Sequence, residues 1–149
     1  MSANKEKLLV SACLLGKNVK YNGKNNCIDL EKIKKYYEIV PFCPEVEGGL
    51  ETPRPPSEII SFDPVNVINN SGQDVTKNFQ EGARKALELC RKVGIKKALL
   101  KERSPSCGKY QVYDGSFSKR LVNSSGITAT LLKEKGIKIY DENELDKLC

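Results

Sequence analysis

Residues 74–101 read "DVTKNFQEGARKALELCRKVGIKKALLK", and the period of their apolar residues changes partway along. Val75, Phe79, Ala83, Ala86, Cys90 and Val93 recur at spacings of three or four, which places them on one stripe of a helix over roughly 75–93. Asp74 or Thr76 offers a side-chain oxygen to the unpaired first amides, and Gly94 supplies the left-handed residue that ends the helix. "IKKALLK" at 95–101 follows at once, too short for a helix and apolar enough for a buried strand. A helix that runs directly into such a strand is half of a βαβ unit, and these units build parallel sheets covered on both faces.

The same alternation extends in both directions. Upstream, "KLLVSA" (7–12) reads as a first strand, followed by a Gly/Asn loop, "GKNVKYNGKNN". Asp29 is placed to cap a short helix through "LEKIKKYY", with Cys27 at its start, and "EIVPFC" (38–43) reads as a second strand. From Pro44 to Pro64 the chain reads as a loop stiffened by Pro53, Pro55 and Pro56, with "VNVIN" as a minor strand after it. Downstream, "YQVYDGSFS" suggests a hairpin around Asp114 and Gly115. "GITATLLKEKG" (126–136) reads as a helix, "IKIY" (137–140) as a fourth main strand, and Asp141 as the cap of a final short helix. The expected class is α/β: a single three-layer, Rossmann-like domain over 1–149 with a mainly parallel sheet of about four strands. No GxGxxG or P-loop pattern follows the first strand, so dinucleotide or nucleoside triphosphate binding by that route is not expected.

Composition narrows the chemistry. A chain of 149 residues, 39% hydrophobic and 30% charged, is long enough to bury a core without covalent staples. No apolar run approaches the length of a membrane span, and "MSANKEKLLVSACLLG" lacks the pattern of a signal peptide, so a cytoplasmic protein with no membrane partner is expected. In that compartment the six cysteines are expected to be reduced and free to bind metal. The formal charge of +6 favours an anionic partner only mildly, because the lysines are interspersed with acids on what read as solvated helix faces. The absence of histidine removes Ser/His and Cys/His catalytic pairs and every imidazole metal site. Acid–base work must fall to carboxylates, Lys, Tyr, Cys or water.

Cys13, Cys43 and Cys107 each fall at or just beyond the end of an expected strand, in "SACLLG", "PFCPEVEGG" and "SPSCG". In a parallel sheet those ends share one edge, where open α/β sheets place their ligands. Three thiols without histidine suit zinc with an exogenous fourth ligand, or an iron–sulfur cluster with one iron left open. Cys27, Cys90 and Cys149 read as small hydrophobes or bystanders. Glu45, two residues after Cys43, is the first choice for an acid or base and Glu47 the second. Ser104 and Ser106 flank Pro105 beside Cys107, where either could orient a water or donate to a developing oxyanion.

Five ordered motifs, "LVSACLLGKNVKYNG", "CPEVEGGLETPRPPSEI", "GQDVT", "LLKERSPSCG" and "YDGSF", together resemble the TudS-type thiouracil desulfidase family, over about residues 8–140. The resemblance implies a [4Fe-4S] cluster held by Cys13, Cys43 and Cys107, with the fourth iron open to a thiocarbonyl sulfur. It implies removal of sulfur from a thiolated uracil base or nucleotide, such as thiouracil or 4-thiouridine monophosphate, to give uracil or UMP and hydrogen sulfide without net redox change. Glu45 and a serine of "SPSCG" match the family's acid–base and assisting groups. Lys101, Arg103, Lys109 and Arg54 are candidate anchors for a substrate phosphate. Thiolated tRNA is a less favoured partner. Two other classes compete: a non-catalytic zinc or sensing iron–sulfur protein that contacts RNA, and a sulfur carrier that forms a persulfide on Cys107.

Overall fold

The computed structural model describes residues 5–148. In chain order the elements are β1 (Glu6–Ser11), α1 (Glu31–Tyr36), β2 (Tyr37–Phe42), α2 (Pro44–Glu47), β3 (Ser57–Phe62), β4 (Val65–Asn69), α3 (Thr76–Val93), β5 (Lys97–Leu100), β6 (Gln111–Tyr113), β7 (Leu121–Asn123), α4 (Ile127–Glu134) and β8 (Lys138–Asp141), with short 3₁₀ turns after β1 and near the C-terminus. The main sheet has the order β2-β1-β5-β8, and every neighbouring pair is parallel. The expected α/β class with four main parallel strands therefore stands.

Burial on both faces explains the unbroken apolar runs of the central strands. In β1, Leu9 faces a core formed with Ala86, Leu87 and Cys90 of α3 and Ala129 and Leu132 of α4. Its neighbours Leu8 and Val10 face the opposite core, with Leu30, Ile33 and Leu148. In β5 the same alternation sends Ala98 and Leu100 to the first core and Leu99 to the second. A third, smaller core under the β3–β4 hairpin gathers Ile59, Val67, Val75, Phe79 and Val112.

Helix α3 spans the expected range, with Asp74 Oδ1 accepting the Thr76 amide at 2.9 Å and Gly94 ending the helix at φ 78°. The segment 44–64 departs from the expected loop, because it contains the short helix α2 and the strand β3. Proline at the first position of α2 is compatible with a helix start, where its missing amide costs nothing. The β6–β7 hairpin exists, but it closes through a longer loop, with the Asp114 amide donating to the Arg120 carbonyl at 2.9 Å. Cys27 lies in an exposed loop before α1, where Asp29 Oδ1 accepts the Glu31 amide at 3.0 Å. Cys90 is buried among apolar residues, and burial pushes its thiol up to about 11. Cys149 lies outside the described residues.

Candidate metal and active site

The strand order fixes where a site can form. From β1 the chain passes to β2 on one side, and from β5 to β8 on the other, so connections diverge between β1 and β5. Loops that leave a sheet in opposite directions open a crevice at the C-terminal strand ends. Cys13 follows β1 and Cys107 follows β5, on either side of that point, while Cys43 follows β2 immediately. Ser11 pairs with Phe42 at the end of the β1–β2 ladder, which places the starts of the Cys13 and Cys43 turns side by side.

Each thiol has polar groups directed at its sulfur. Burial raises the Cys13 thiol above its ordinary range, opposed by Asn26 Nδ2, which donates to Cys13 Sγ at 3.4 Å, and by the ammonium groups of Lys101 and Lys20. Burial likewise raises Cys43, opposed chiefly by the Val46 backbone amide in the first turn of α2. Cys107 is pushed up to about 12 by complete burial, with the Ser11 hydroxyl the chief group drawing it down. The Cys107 thiol also lies within electrostatic reach of both Cys43 and Cys13. Among the described residues, no group of three His, Cys, Asp or Glu side chains stands close enough to hold a single metal ion. A cluster spreads its thiolates over several irons and accepts a wider arrangement. Donors aimed at buried sulfur, in a place where thiolates alone are disfavoured, fit a group that brings positive iron to thiolate ligands.

Glu45 connects these loops. Its Oε1 accepts from Arg54 Nε at 3.2 Å and its Oε2 from the Ser106 hydroxyl at 3.0 Å. Ser104 Oγ accepts the backbone amides of Ser106 at 3.1 Å and Cys107 at 3.0 Å, and stands 2.9 Å from Ser106 Oγ. A hydroxyl has two lone pairs and one proton. With both lone pairs of Ser104 taken by amides, its proton goes to Ser106 Oγ, and the Ser106 proton goes to Glu45. The two serines thus differ: Ser106 touches the carboxylate and stands 3.7 Å from Cys107 Sγ, whereas Ser104 shapes the loop and orients Ser106.

The Cys107 loop is held from behind by α4. The amides of Gly126, Ile127 and Thr128 donate to the carbonyls of Gly108, Pro105 and Ser106 at 2.8–2.9 Å, so the free donors of the helix start are used to fix the loop. Gly126 permits this approach, since a Cβ there would lie 2.5 Å from the Ser106 carbonyl carbon. Across the loop, Glu102 Oε1 accepts the amides of Arg103, Lys109 and Tyr110 at 3.2, 2.6 and 3.1 Å.

The other expected participants are exposed or engaged by protein partners. Glu47 is exposed. Lys101 bonds Glu142 and the Glu102 carbonyl, both at 2.9 Å, and Lys109 bonds Glu144 at 2.7 Å. Arg54 is spent on protein partners, leaving Arg103, exposed and at φ 68°, as the one of the four candidate anchors whose side chain has no partner among the described residues. Asn26, Ser11 and the Arg54–Glu45 pair were not legible in the sequence, because nothing local distinguishes an asparagine or arginine that folds back on a distant loop.

Two known proteins resemble the chain over nearly its whole length. The uncharacterized protein YbbK of Bacillus subtilis (strain 168) is 41% identical over 151 aligned residues, covering 95% of this chain and 99% of its own. The solved structure of the [4Fe-4S]-dependent thiouracil desulfidase TudS matches with a TM-score of 0.91 at 45% identity, covering 97% of this chain and 95% of that one. The family model described as 2-thiouracil desulfurase matches residues 8–144, nearly the whole described chain, and the protein belongs to that 2-thiouracil desulfurase family.

Proposed function

We propose that this protein is a cytoplasmic [4Fe-4S]-dependent desulfidase that converts a thiolated uracil base or nucleotide and water into the corresponding uracil compound and hydrogen sulfide. Cys13, Cys43 and Cys107 are the ligands in this reading, with one iron left without a protein ligand. The observation that carries it is the Glu45 carboxylate, bonded to the hydroxyl of the residue beside Cys107 on the edge that gathers all three cysteines. When bound, the cluster supplies a Lewis-acidic iron with affinity for the substrate sulfur. Glu45 takes a proton from the attacking water, which adds to the thiocarbonyl carbon. Ser106 steadies Glu45 Oε2 before attack, and once Glu45 has taken the water's proton the Ser106 hydroxyl is released to turn and donate to charge developing at the reacting atoms. Carbon exchanges sulfur for oxygen, two protons of water leave with the sulfur, and no electrons are gained or lost overall.

Anaerobic protein mixed with thiouracil tests the reading. Sulfide and uracil should appear in equal amounts and over many turnovers, and replacement of any of Cys13, Cys43 or Cys107 by alanine should abolish both. Full activity in iron-free protein would overturn it in favour of a sulfur carrier.

A further inference from the structure

Arg54 stands in the proline-rich turn "TPRPP" (52–56) and is only 7% exposed at its side chain, yet it contacts three separate stretches of chain. Nε donates to Glu45 Oε1 at 3.2 Å, Nη1 to the Glu51 carbonyl and Thr52 Oγ1 at 3.0 Å each, and Nη2 to the Val19 carbonyl at 2.9 Å. Its backbone amide donates to the Tyr21 carbonyl at 2.6 Å. Val19 and Tyr21 belong to the loop after Cys13, whereas Glu45 and Glu51 follow Cys43. A planar guanidinium with donors in fixed directions can satisfy this set at once, and a single ammonium cannot.

We infer that Arg54 is a positioning residue for the reaction proposed above: it holds one oxygen of Glu45 so that the other faces Ser106 and the reacting carbon. The inference rests on the desulfidase reading for its kinetic consequence, but the pairing is a property of this chain. Burial gives the pair its directional force, because a carboxylate shielded from water has few other donors to turn toward. Nη1 and Nη2 are anchored to main-chain carbonyls, so the guanidinium plane is itself fixed and transmits that orientation to Glu45. The same engagement commits four of the five guanidinium N–H donors to the protein, which leaves a single Nη2–H for any other partner and makes a bidentate grip on a substrate phosphate unavailable to Arg54.

Arg54→Lys tests this in anaerobically purified, cluster-loaded protein. It should lower kcat by about tenfold or more, with KM changed less than twofold, and to the same extent for thiouracil and its nucleotide. Iron content and the visible spectrum should stay near wild type, while the melting temperature falls because the ammonium cannot reach both the Glu51 and Val19 carbonyls. In a Glu45→Gln background the added loss from Arg54→Lys should be less than twofold, because Arg54 acts through Glu45. A rise in KM confined to the nucleotide, an unchanged kcat, or fully multiplicative losses in the double variant would each overturn the inference. If Arg54→Lys sheds iron, the decision passes to hydrogen exchange at Arg54 Nε–H, followed by ¹⁵N NMR in the full-length chain. Exchange at least tenfold faster in Glu45→Ala, which removes the acceptor outright, than in wild type supports the pairing, and equal rates overturn it. Wild-type protein that holds iron and sulfide yet releases none from thiouracil would defeat the desulfidase reading, while the exchange measurement would still decide the pairing.

Discussion

Glu45 and Ser106 join the Cys43 and Cys107 loops by a direct hydrogen bond, and their separate replacement should separate chemistry from scaffolding. Glu45→Gln keeps the size and most of the hydrogen bonds, so the cluster spectrum should persist while turnover falls by about 100-fold or more, the usual effect of losing a positioned base. Unchanged turnover would take Glu45 out of the mechanism. Ser106→Ala should likewise lower kcat with the cluster retained. Ser104→Ala should behave differently, since it strips the partner from the Ser106 and Cys107 amides and loosens the loop itself. The expected outcome is a lower melting temperature and faster iron loss to a chelator, measured beside Ser106→Ala; equal behaviour of the two alanine variants would contradict the assigned division of roles. The sequence offered both serines as equals, since a "SPS" triplet has no internal sign of which hydroxyl meets a carboxylate 61 residues away. Only the folded loop, by spending both lone pairs of Ser104 on amides, distinguishes them.

The elements around the site are fitted closely enough that small groups decide their position. Gly82 of α3 lies against α2 so tightly that an added Cβ would sit 2.0 Å from the Pro44 carbonyl oxygen, and one at Gly126 would sit 2.6 Å from the Ser106 carbonyl oxygen. Gly126→Ala should destabilise the protein by about 1–3 kcal/mol, as overpacking does, and should impair iron retention because the Cys107 loop is what must move. Thermal melting and iron content check this together; a variant with wild-type iron content would show that α4 does not hold the loop. Just past the end of β8, Glu144 joins the C-terminal turn to the segment after Cys107. Burial raises its carboxyl, but Lys109, Tyr110 and Lys147 donate to it and hold it down at about 2. A carboxyl with a lowered folded pKa stabilises above its ordinary value near 4.5 and loses that contribution as pH falls toward the folded value. The stability difference between wild type and Glu144→Gln should therefore be full at pH 6 and shrink as pH drops from about 4.5 toward 2, read from denaturant midpoints. A difference independent of pH would exclude an ionised Glu144 as the anchor.

At the scale of the molecule, the order β2-β1-β5-β8 turns three cysteines far apart in sequence into neighbours at a single edge. That much was legible, because a buried parallel strand leaves an unmistakable apolar run and its end can be counted to within a residue or two, as Glu6–Ser11 and Lys97–Leu100 show. The segment 44–64 was not, since its prolines and glycines mask both the single helical turn behind Cys43 and the strand Ser57–Phe62. The long-range pins Glu102, Glu144 and Arg54 were equally hidden, because they are specified by tertiary approach and leave no period in the chain. Among the described residues no helix is long and apolar enough to cross a membrane, and the C-terminal sheet edge is where buried thiols, a part-buried carboxylate and paired serine hydroxyls come together, so that edge is the place where unusual chemistry is concentrated. The most direct test of that conclusion is the iron and acid-labile sulfide content of anaerobically purified protein. The account predicts about four of each per chain, with a brown colour lost on replacing any of Cys13, Cys43 or Cys107. Colourless protein carrying stoichiometric zinc would contradict it.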